Sequence, residues 1–172
     1  MGEGSRAVYQ RGIHQQLGRH PCSVRERIPL ILDCKIKRTA TAGDFSAVAY
    51  FFGDLLQRSL DVPVGLIHCS WSASKIETWM DKETLQHFPE VQLPDINQAE
   101  FEWPAGTPTL LWNAMVNPWK GFPVKGVIWY QGESNSPNPT LYKKLFPAMV
   151  AQWREFFNNP GMPLYYVQIT PW

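Results

Sequence analysis

Two stretches of the chain carry apolar residues at the three- and four-residue spacing of an amphipathic helix. The first covers residues 44–60, and either Asp44 or Ser46 is placed to cap its start. The second covers residues 140–157, where Pro147 is expected to introduce a kink. The apolar positions are Val48, Phe52, Leu55, Leu56 and Leu60 in the first stretch, and Leu141, Leu145, Met149, Val150, Trp153 and Phe156 in the second.

Short apolar runs alternate with these helices. Residues 64–69 read as a strand buried on both faces, residues 126–130 as a second buried strand and residues 164–169 as a third strand. Residues 110–116 read as a short helix. Alternating helices and strands are typical of a parallel sheet, so the pattern predicts an α/β fold. The Pro-rich stretch 88–108 is predicted to be a long surface loop between two such units.

The first 43 residues have a different character from the rest. They carry eight Lys and Arg against three Asp and Glu, and their only strand-like run is 28–32. We therefore divide the chain into a basic, irregular segment, 1–43, and an α/β domain, 44–172. A basic arm that touches nucleic acid is the alternative interpretation of the first segment.

Composition narrows the classes of function. The chain has 172 residues, 44% hydrophobic and 18% charged, which is typical of one globular domain. Its formal charge of +1 gives no electrostatic footprint for nucleic acid or an anionic membrane. The sequence has no run that fits a membrane-spanning helix and no signal peptide at its start. We therefore expect neither nucleic acid nor a membrane as a partner, and the compartment is left open.

The three cysteines do not indicate a metal site or a disulfide framework. Cys22, Cys34 and Cys69 are odd in number and lack Cys-x-x-Cys spacing. We therefore expect no metal. Eight tryptophans are an unusually high number for one domain of this size. They either fill the core or, at a binding face, stack on sugar rings.

Candidate chemistry follows the predicted strands, because ligands of parallel sheets bind outside the carboxyl ends of the strands. Small residues at Ser72 and Ala73 could let backbone N–H groups approach a ligand oxygen, or they could simply form a tight turn. The side-chain amide of Gln131, with Gly132 and Glu133 after it, could donate to an oxyanion or could belong to a buried polar cluster.

Several motifs resemble the sialate O-acetylesterase (SASA) family in the family's own order. The most specific is the Trp-Tyr-Gln-Gly-Glu-Ser-Asn stretch at 129–135, and the resemblance extends over about residues 44–171. Its other parts are 45–53, 62–67, 111–116, 126–128, 145–147, 153–154 and 166–169.

The resemblance implies a three-layer, flavodoxin-like (SGNH hydrolase) parallel sheet with flanking helices. It implies removal of acetyl esters from sugars by a serine nucleophile and an Asp-x-x-His pair, without a metal or organic cofactor. Gln131 matches the family's side-chain oxyanion donor, and Ser72 and Ala73 match its backbone donor. The residues expected to contact the acetylated sugar substrate are Trp71, Glu77, Glu133 and Asn135.

Three parts of the sequence depart from the family's pattern. The family's turn usually reads Trp-Gly-Gly-Thr, so a positive φ there would strain Ser72 or Ala73. The N-terminal serine block is not found, and Ser5 is not a convincing substitute. No histidine has an aspartate three residues before it, and His68 is predicted to be a satisfied core histidine.

The sequence thus predicts an incomplete α/β domain of a carbohydrate O-acetylesterase, as a fragment or a copy without a recognisable triad. Whether the chain hydrolyses esters by itself is left open. The alternative is a non-catalytic carbohydrate-binding module that stacks sugars on Trp71, Trp79 or Trp129. A chain that does not fold stably is the third possibility, because a sheet without its outer strands exposes edges.

Overall fold

A computed structural model describes residues 45–95 and 101–170 of the chain. These residues fall into two compact units, 45–70 and 71–170. The basic arm and the strand predicted at 28–32 lie outside the described residues, as does Ser5. No helix in the described ranges is long and apolar enough to cross a membrane.

The first unit begins with helix α1, Ala47–Leu60, as its apolar periodicity predicts. Ser46 caps the helix, because its hydroxyl oxygen accepts a hydrogen bond from the Ala49 N–H at 3.3 Å. Asp61 ends it in the left-handed conformation, with φ of 51°, and donates its N–H to the carbonyl of Gln57. Both predicted boundaries are confirmed.

The segment after α1 does not form the predicted strand. Residues 64–69 have no strand assignment, so the prediction of a buried strand there is wrong. The segment instead packs on a small residue of α1: a Cβ added to Gly53 would lie 2.7 Å from Cδ1 of Leu66. Apolar composition alone does not make a strand, because a strand also needs a partner that completes its hydrogen-bond ladder.

The second unit contains the remaining regular elements. In chain order they are a 3₁₀ helix Ile76–Trp79, helix α2 Lys82–Leu85, a π-helix Trp112–Val116, a 3₁₀ helix Asn117–Trp119, strand β1 Val127–Trp129, a 3₁₀ helix Glu133–Asn135, helix α3 Pro139–Phe156 and strand β2 Leu164–Tyr166. The helix predicted at 110–116 is therefore helical but widened over its last five residues.

Strands β1 and β2 are joined by α3 into a parallel β-α-β unit. Val127 pairs with Leu164, and Trp129 pairs with Tyr166. Asn138 caps α3 by accepting the Leu141 N–H at 3.1 Å, and Pro147 lies inside the helix on its exposed side. The prediction of an α/β fold with a parallel sheet is confirmed for this unit, although the two strands are shorter than predicted.

The core of this unit lies under the apolar stripe of α3. Leu145 and Met149 are completely buried, and Trp153 packs edge-on against Trp129 with ring centroids 5.8 Å apart. Trp79 packs edge-on against Trp129 in the same way, at 6.3 Å. Because Trp79 and Trp129 are only 3% and 7% exposed, the interpretation of these two rings as sugar-stacking faces is wrong.

The Pro-rich stretch 88–108 forms neither helix nor strand in its described part, as predicted. It is not purely a surface loop, however. Ala105 is buried, and its carbonyl accepts the N–H of Lys75 at 2.8 Å. The hydroxyl of Thr78 donates to the carbonyl of Pro104 at 3.1 Å, so this end of the loop is fixed to the 3₁₀ helix Ile76–Trp79.

Candidate functional site

Two turns of the second unit hold most of the predicted site residues. The first, residues 71–75, which we call the 71–75 turn, precedes the 3₁₀ helix Ile76–Trp79. The second, residues 131–135, which we call the 131–135 turn, follows β1. In a parallel sheet the segment after a strand lies at the edge where ligands bind, so the position of the 131–135 turn agrees with a functional role.

The 71–75 turn contains a strained residue. Ala73 adopts φ of +55°, in the left-handed region that costs a residue with a Cβ roughly 1–2 kcal/mol. The predicted strain at this turn is therefore confirmed at Ala73. Ser72 and Ala73 are both exposed, and Trp71 is half-buried.

The 131–135 turn needs a glycine at its second position. Gly132 has φ of +153°, a conformation that residues with a Cβ rarely adopt. A Cβ there would also lie 3.3 Å from Cγ2 of Ile169, which follows β2. Gly132 thus lets the chain turn sharply where residues after both strands meet.

Asn135 makes three side-chain hydrogen bonds, and two of them join the 131–135 turn to the 3₁₀ helix Ile76–Trp79. Its Oδ1 accepts from the backbone N–H of Ile76 and from Nε2 of Gln131, both at 2.8 Å. Its Nδ2 donates to Oε2 of Glu77 at 2.8 Å. Asn135 and Glu77 are both buried, so these bonds are shielded from water and fix the geometry of the site.

Gln131 completes the network but uses its donors in doing so. Besides Asn135, its Nε2 donates to the carbonyl of Ser74 at 2.8 Å. A side-chain amide has two N–H donors, and both are engaged. The Oε1 atom of Gln131 is buried and makes no hydrogen bond. To hold an oxyanion, the amide would have to exchange one of its two present acceptors for the ligand.

Tyr142 on α3 supports Gln131 from the other side. Its hydroxyl donates to the carbonyl of Gln131 at 3.3 Å and accepts from Nε1 of Trp129 at 3.3 Å. Burial raises the pKa of Tyr142 above its usual value, the indole hydrogen bond lowers it, and the nearby Glu133 carboxylate raises it. The phenol therefore stays protonated at neutral pH and keeps its donor role.

The structure separates the predicted site residues into two groups. Gln131, Asn135 and Glu77 are brought together in the network. Glu133 is exposed, and its charge raises the pKa of Tyr142. The oxyanion roles of Gln131, Ser72 and Ala73 stay predictions, as do the sugar contacts of Trp71, Glu77, Glu133 and Asn135.

Two contributors to the network were missed by sequence reasoning. Ser74 takes part through its carbonyl, and a main-chain group carries no sequence signal. Tyr142 stands beside the apolar stripe of α3, next to Leu141, where a tyrosine reads as an ordinary half-buried residue. The signal that could have found Tyr142 is Trp129, because a buried indole N–H needs an acceptor and the Tyr142 hydroxyl supplies it.

The first unit contains a serine hydrogen-bonded to a histidine. The Oγ of Ser70 lies 2.7 Å from Nε2 of His68, and Phe45 packs edge-on against the imidazole ring. His68 is half-buried and Ser70 is exposed. The hydrogen bond confirms that the histidine is satisfied, but its placement in the core is wrong, because the residue is only half-buried.

Within residues 45–95 and 101–170, no cluster of three or more His, Cys, Asp or Glu side chains is placed to hold a metal ion.

Comparison with known proteins gives the family. Residues 22–171 match the carbohydrate esterases described as sialic acid-specific acetylesterases. The chain belongs to this family. The match confirms the resemblance and begins earlier than residue 44, so it also includes part of the basic segment.

Individual family members match the chain over a limited part of their own length. Human sialate O-acetylesterase is 39% identical over 115 residues, covering 66% of this chain and 22% of the human protein. The mouse protein of the same name is 35% identical over 139 residues, covering 66% of this chain and 26% of its own. This acetylesterase-family chain thus spans about a quarter of the length of the curated relatives it matches.

A solved structure also resembles the chain. A carbohydrate acetylesterase from Xanthomonas citri superposes with a TM-score of 0.62 and 41% sequence identity. The superposition covers 75% of this chain and 27% of the bacterial protein.

Proposed function

We propose that this acetylesterase-family chain serves in the hydrolysis of acetyl esters on sugars. The carrying observation is the hydrogen-bond network that fastens the 131–135 turn to Ser74 of the 71–75 turn and to the 3₁₀ helix that follows it. The Gln131 amide binds the carbonyl of Ser74, the residue after Ser72 and Ala73, and this supports the expectation that these three residues hold an oxyanion. Family membership and the names of the relatives support acetyl esters of sugars as the substrate.

The finer architecture belongs to the same proposal. A parallel β-α-β unit is the building block of the three-layer, flavodoxin-like sheet of SGNH hydrolases, and β1, α3 and β2 form one such unit. We expect the complete sheet to carry further strands of this kind on either side.

In the proposed reaction, a serine hydroxyl oxygen attacks the acetyl carbonyl and a histidine nitrogen accepts its proton. The carbonyl oxygen gains the negative charge, which the N–H groups of Gln131, Ser72 and Ala73 stabilise. The bond between the carbonyl carbon and the sugar oxygen then breaks, the histidine gives its proton to that oxygen, and an acetyl-serine remains. Water attacks this ester as the histidine takes its proton, the bond to the serine oxygen breaks, and the histidine returns the proton to the serine as acetate leaves. No metal or organic cofactor takes part.

Ser70 is the first serine to test with a serine-hydrolase probe, because its contact with His68 lies wholly within the first unit. A hydroxyl 2.7 Å from an imidazole nitrogen is within the distance at which a base can take its proton. The family's serine block and Asp-x-x-His pair are not found in the sequence, so a Ser70–His68 pair would be a replacement and not the family arrangement.

The experiment is a fluorophosphonate labelling of the purified chain, with intact mass, peptide mapping and an acetyl-ester assay run in parallel. One stoichiometric adduct on a single serine, with acetyl-ester hydrolysis lost in proportion to labelling, supports esterase activity of the chain by itself. The variants S70A and H68A then test the pair, and S59A, an exposed serine of α1, is the matched control. No adduct and no hydrolysis from a chain that unfolds cooperatively would contradict activity of the isolated chain.

A non-catalytic carbohydrate-binding module is the second candidate. The lack of a recognisable triad favours this candidate. The burial of Trp79 and Trp129 argues against it, because two of the three tryptophans expected to stack on sugars are covered. Binding of an acetylated sugar without hydrolysis would identify it. No nucleic-acid or membrane partner is expected for either candidate.

A further inference from the structure

Ala73 is strained at a place where the sequence gives no local reason for it. In the described part of the chain four residues other than glycine have a positive φ, and two of them, Asp61 and Asn158, stand just past the ends of α1 and α3. Asp and Asn tolerate this conformation, and the end of a helix commonly needs it. Ala73 meets neither condition. The residues around it must hold it there, because strain persists only where the surrounding structure fixes it.

Ser74, the next residue, is bonded to the buried structure on two sides. Its Oγ accepts a hydrogen bond from Nε1 of Trp79 at 3.0 Å, and its carbonyl accepts from Nε2 of Gln131 at 2.8 Å. Ser74 is only 8% exposed, whereas Ser72 and Ala73 before it are exposed. Ser74 is therefore the residue at which the exposed turn joins the core.

The donor to the Ser74 hydroxyl is itself held in place. Besides the edge-on contact of its ring with Trp129, Trp79 accepts the Nε1 hydrogen of Trp153 on its carbonyl at 3.1 Å. A donor held in this way does not move with its acceptor, so the bond fixes the Ser74 side chain in one position. Without the hydroxyl, a buried indole N–H would lose its partner.

The two residues after Ser74 are also fixed. The N–H of Lys75 donates to the carbonyl of Ala105, and the N–H of Ile76 donates to Oδ1 of Asn135, both at 2.8 Å. With this side held, rotation about the N–Cα bond of Ala73 moves the Ala73 N–H and the chain before it. The φ of Ala73 therefore sets the direction of the backbone donors that are expected to hold an oxyanion.

We propose that Ser74 is a positioning residue of the candidate site, because the hydrogen bond between its hydroxyl oxygen and the Trp79 indole holds Ala73 in the left-handed conformation. One hydrogen bond and the strain of one left-handed residue are similar in free energy, so loss of this bond is enough to release the turn. The inference rests on the proposed function for the use of the turn, since the N–H groups that Ser74 orients are those expected to stabilise the oxyanion.

NMR spectroscopy of the full chain reports the conformation of Ala73 directly. At positive φ the amide and α hydrogens of a residue lie close together, so the nuclear Overhauser effect between them is strong. We expect the native chain and S74T, which keeps the hydroxyl, to show this strong effect at Ala73, and S74A to lose it. S136A removes an exposed serine near the other turn and should leave the Ala73 signal unchanged.

The indole hydrogen of Trp79 gives a second measurement. Its resonance should move upfield in S74A, where the acceptor is gone, and stay near its native position in S74T. If S74A does not unfold cooperatively, S74C takes its place, because a thiol has nearly the same shape as the hydroxyl and is only a weak acceptor.

Two outcomes would overturn the inference. One is a strong Ala73 effect that persists in S74A, or that is missing in the native chain, because the hydroxyl would then not hold the conformation. The other is loss of the effect in both S74A and S74T, because S74T keeps the acceptor.

An acetyl-ester assay separates this inference from the proposed function. S74A should lower kcat about a hundredfold with KM unchanged, as the loss of one oxyanion donor does. If the Ala73 effect responds as expected while the native chain hydrolyses no ester, the positioning role of Ser74 stands and the catalytic proposal for the isolated chain falls. If kcat stays at its native value after the Ala73 effect is lost, the oxyanion role of the turn falls.

Discussion

Helices α1 and α3 have the same kind of apolar stripe and very different burial. On α3, Leu141, Leu145, Met149 and Trp153 are all buried, whereas on α1 the buried residues are Ala49 and Gly53. Val48, Leu55 and Leu60 of α1 are 48%, 59% and 61% exposed. Periodicity therefore predicts that a helix forms. It does not predict whether other residues pack against the apolar stripe and bury it.

The largest effect is expected at the centre of α3. Leu145→Ala removes a completely buried side chain and should lower the free energy of unfolding by about 2–5 kcal/mol. Urea denaturation followed by circular dichroism measures it. A loss below about 1 kcal/mol would mean that this stripe is no better covered than that of α1.

The polar network should come next. Asn135→Ala leaves the Ile76 N–H, the Gln131 amide and the Glu77 carboxylate without their partner, and should cost about 1–3 kcal/mol. Asn135→Asp keeps the shape but sets a carboxylate beside Glu77. Repulsion raises the pKa of one of the two carboxyls, so this variant should gain stability as the pH falls.

Asn135→Asp therefore tests whether the buried contact between residues 135 and 77 contributes to stability. If it were as stable as the native chain at pH 7 and insensitive to acid, the buried contact between residues 135 and 77 would not carry the energy assigned to it.

A smaller effect with the opposite sign is expected in the 71–75 turn. Ala73→Gly relieves the left-handed strain but loosens the unfolded chain, so it should stabilise by about 0.5–1 kcal/mol. Ala151→Gly, at an exposed position inside α3, is the matched control and should destabilise by about 1 kcal/mol. Equal signs for the two variants would contradict the strain at Ala73.

The smallest effect is expected on α1. Leu55→Ala truncates the same side chain as Leu145→Ala, but at a position that is 59% exposed, and should change stability by less than about 0.5 kcal/mol. The urea midpoints of the two leucine variants provide the direct measurement. A loss comparable to that of Leu145→Ala would show that the stripe of α1 is covered in solution.

Sequence reasoning located the elements whose signals are local. Ser46 was one of the two predicted caps of α1 and does cap it, because a cap is an interaction between near neighbours along the chain. The strand predicted at 64–69 failed for the opposite reason, since its formation depends on a partner that no local pattern specifies.

The candidate site divides in the same way. The motif at 129–135 indicated Gln131 and Asn135, and the missing glycines of the 71–75 turn indicated strain at Ala73. The sequence could not predict the hydrogen-bond partners of these side chains. Both N–H donors of Gln131 are engaged, and Asn135 accepts from a backbone N–H 59 residues away.

The parallel pairing of β1 with β2 has a kinetic consequence. Val127 and Leu164 are about 37 residues apart in the chain, so their hydrogen bonds cannot form until a long loop has closed. Helix α3 takes up 18 of those residues, and as a helix it spans only about 27 Å. Early formation of α3 therefore shortens the search, and a substitution that slows its nucleation should delay assembly of the sheet edge that presents Gln131.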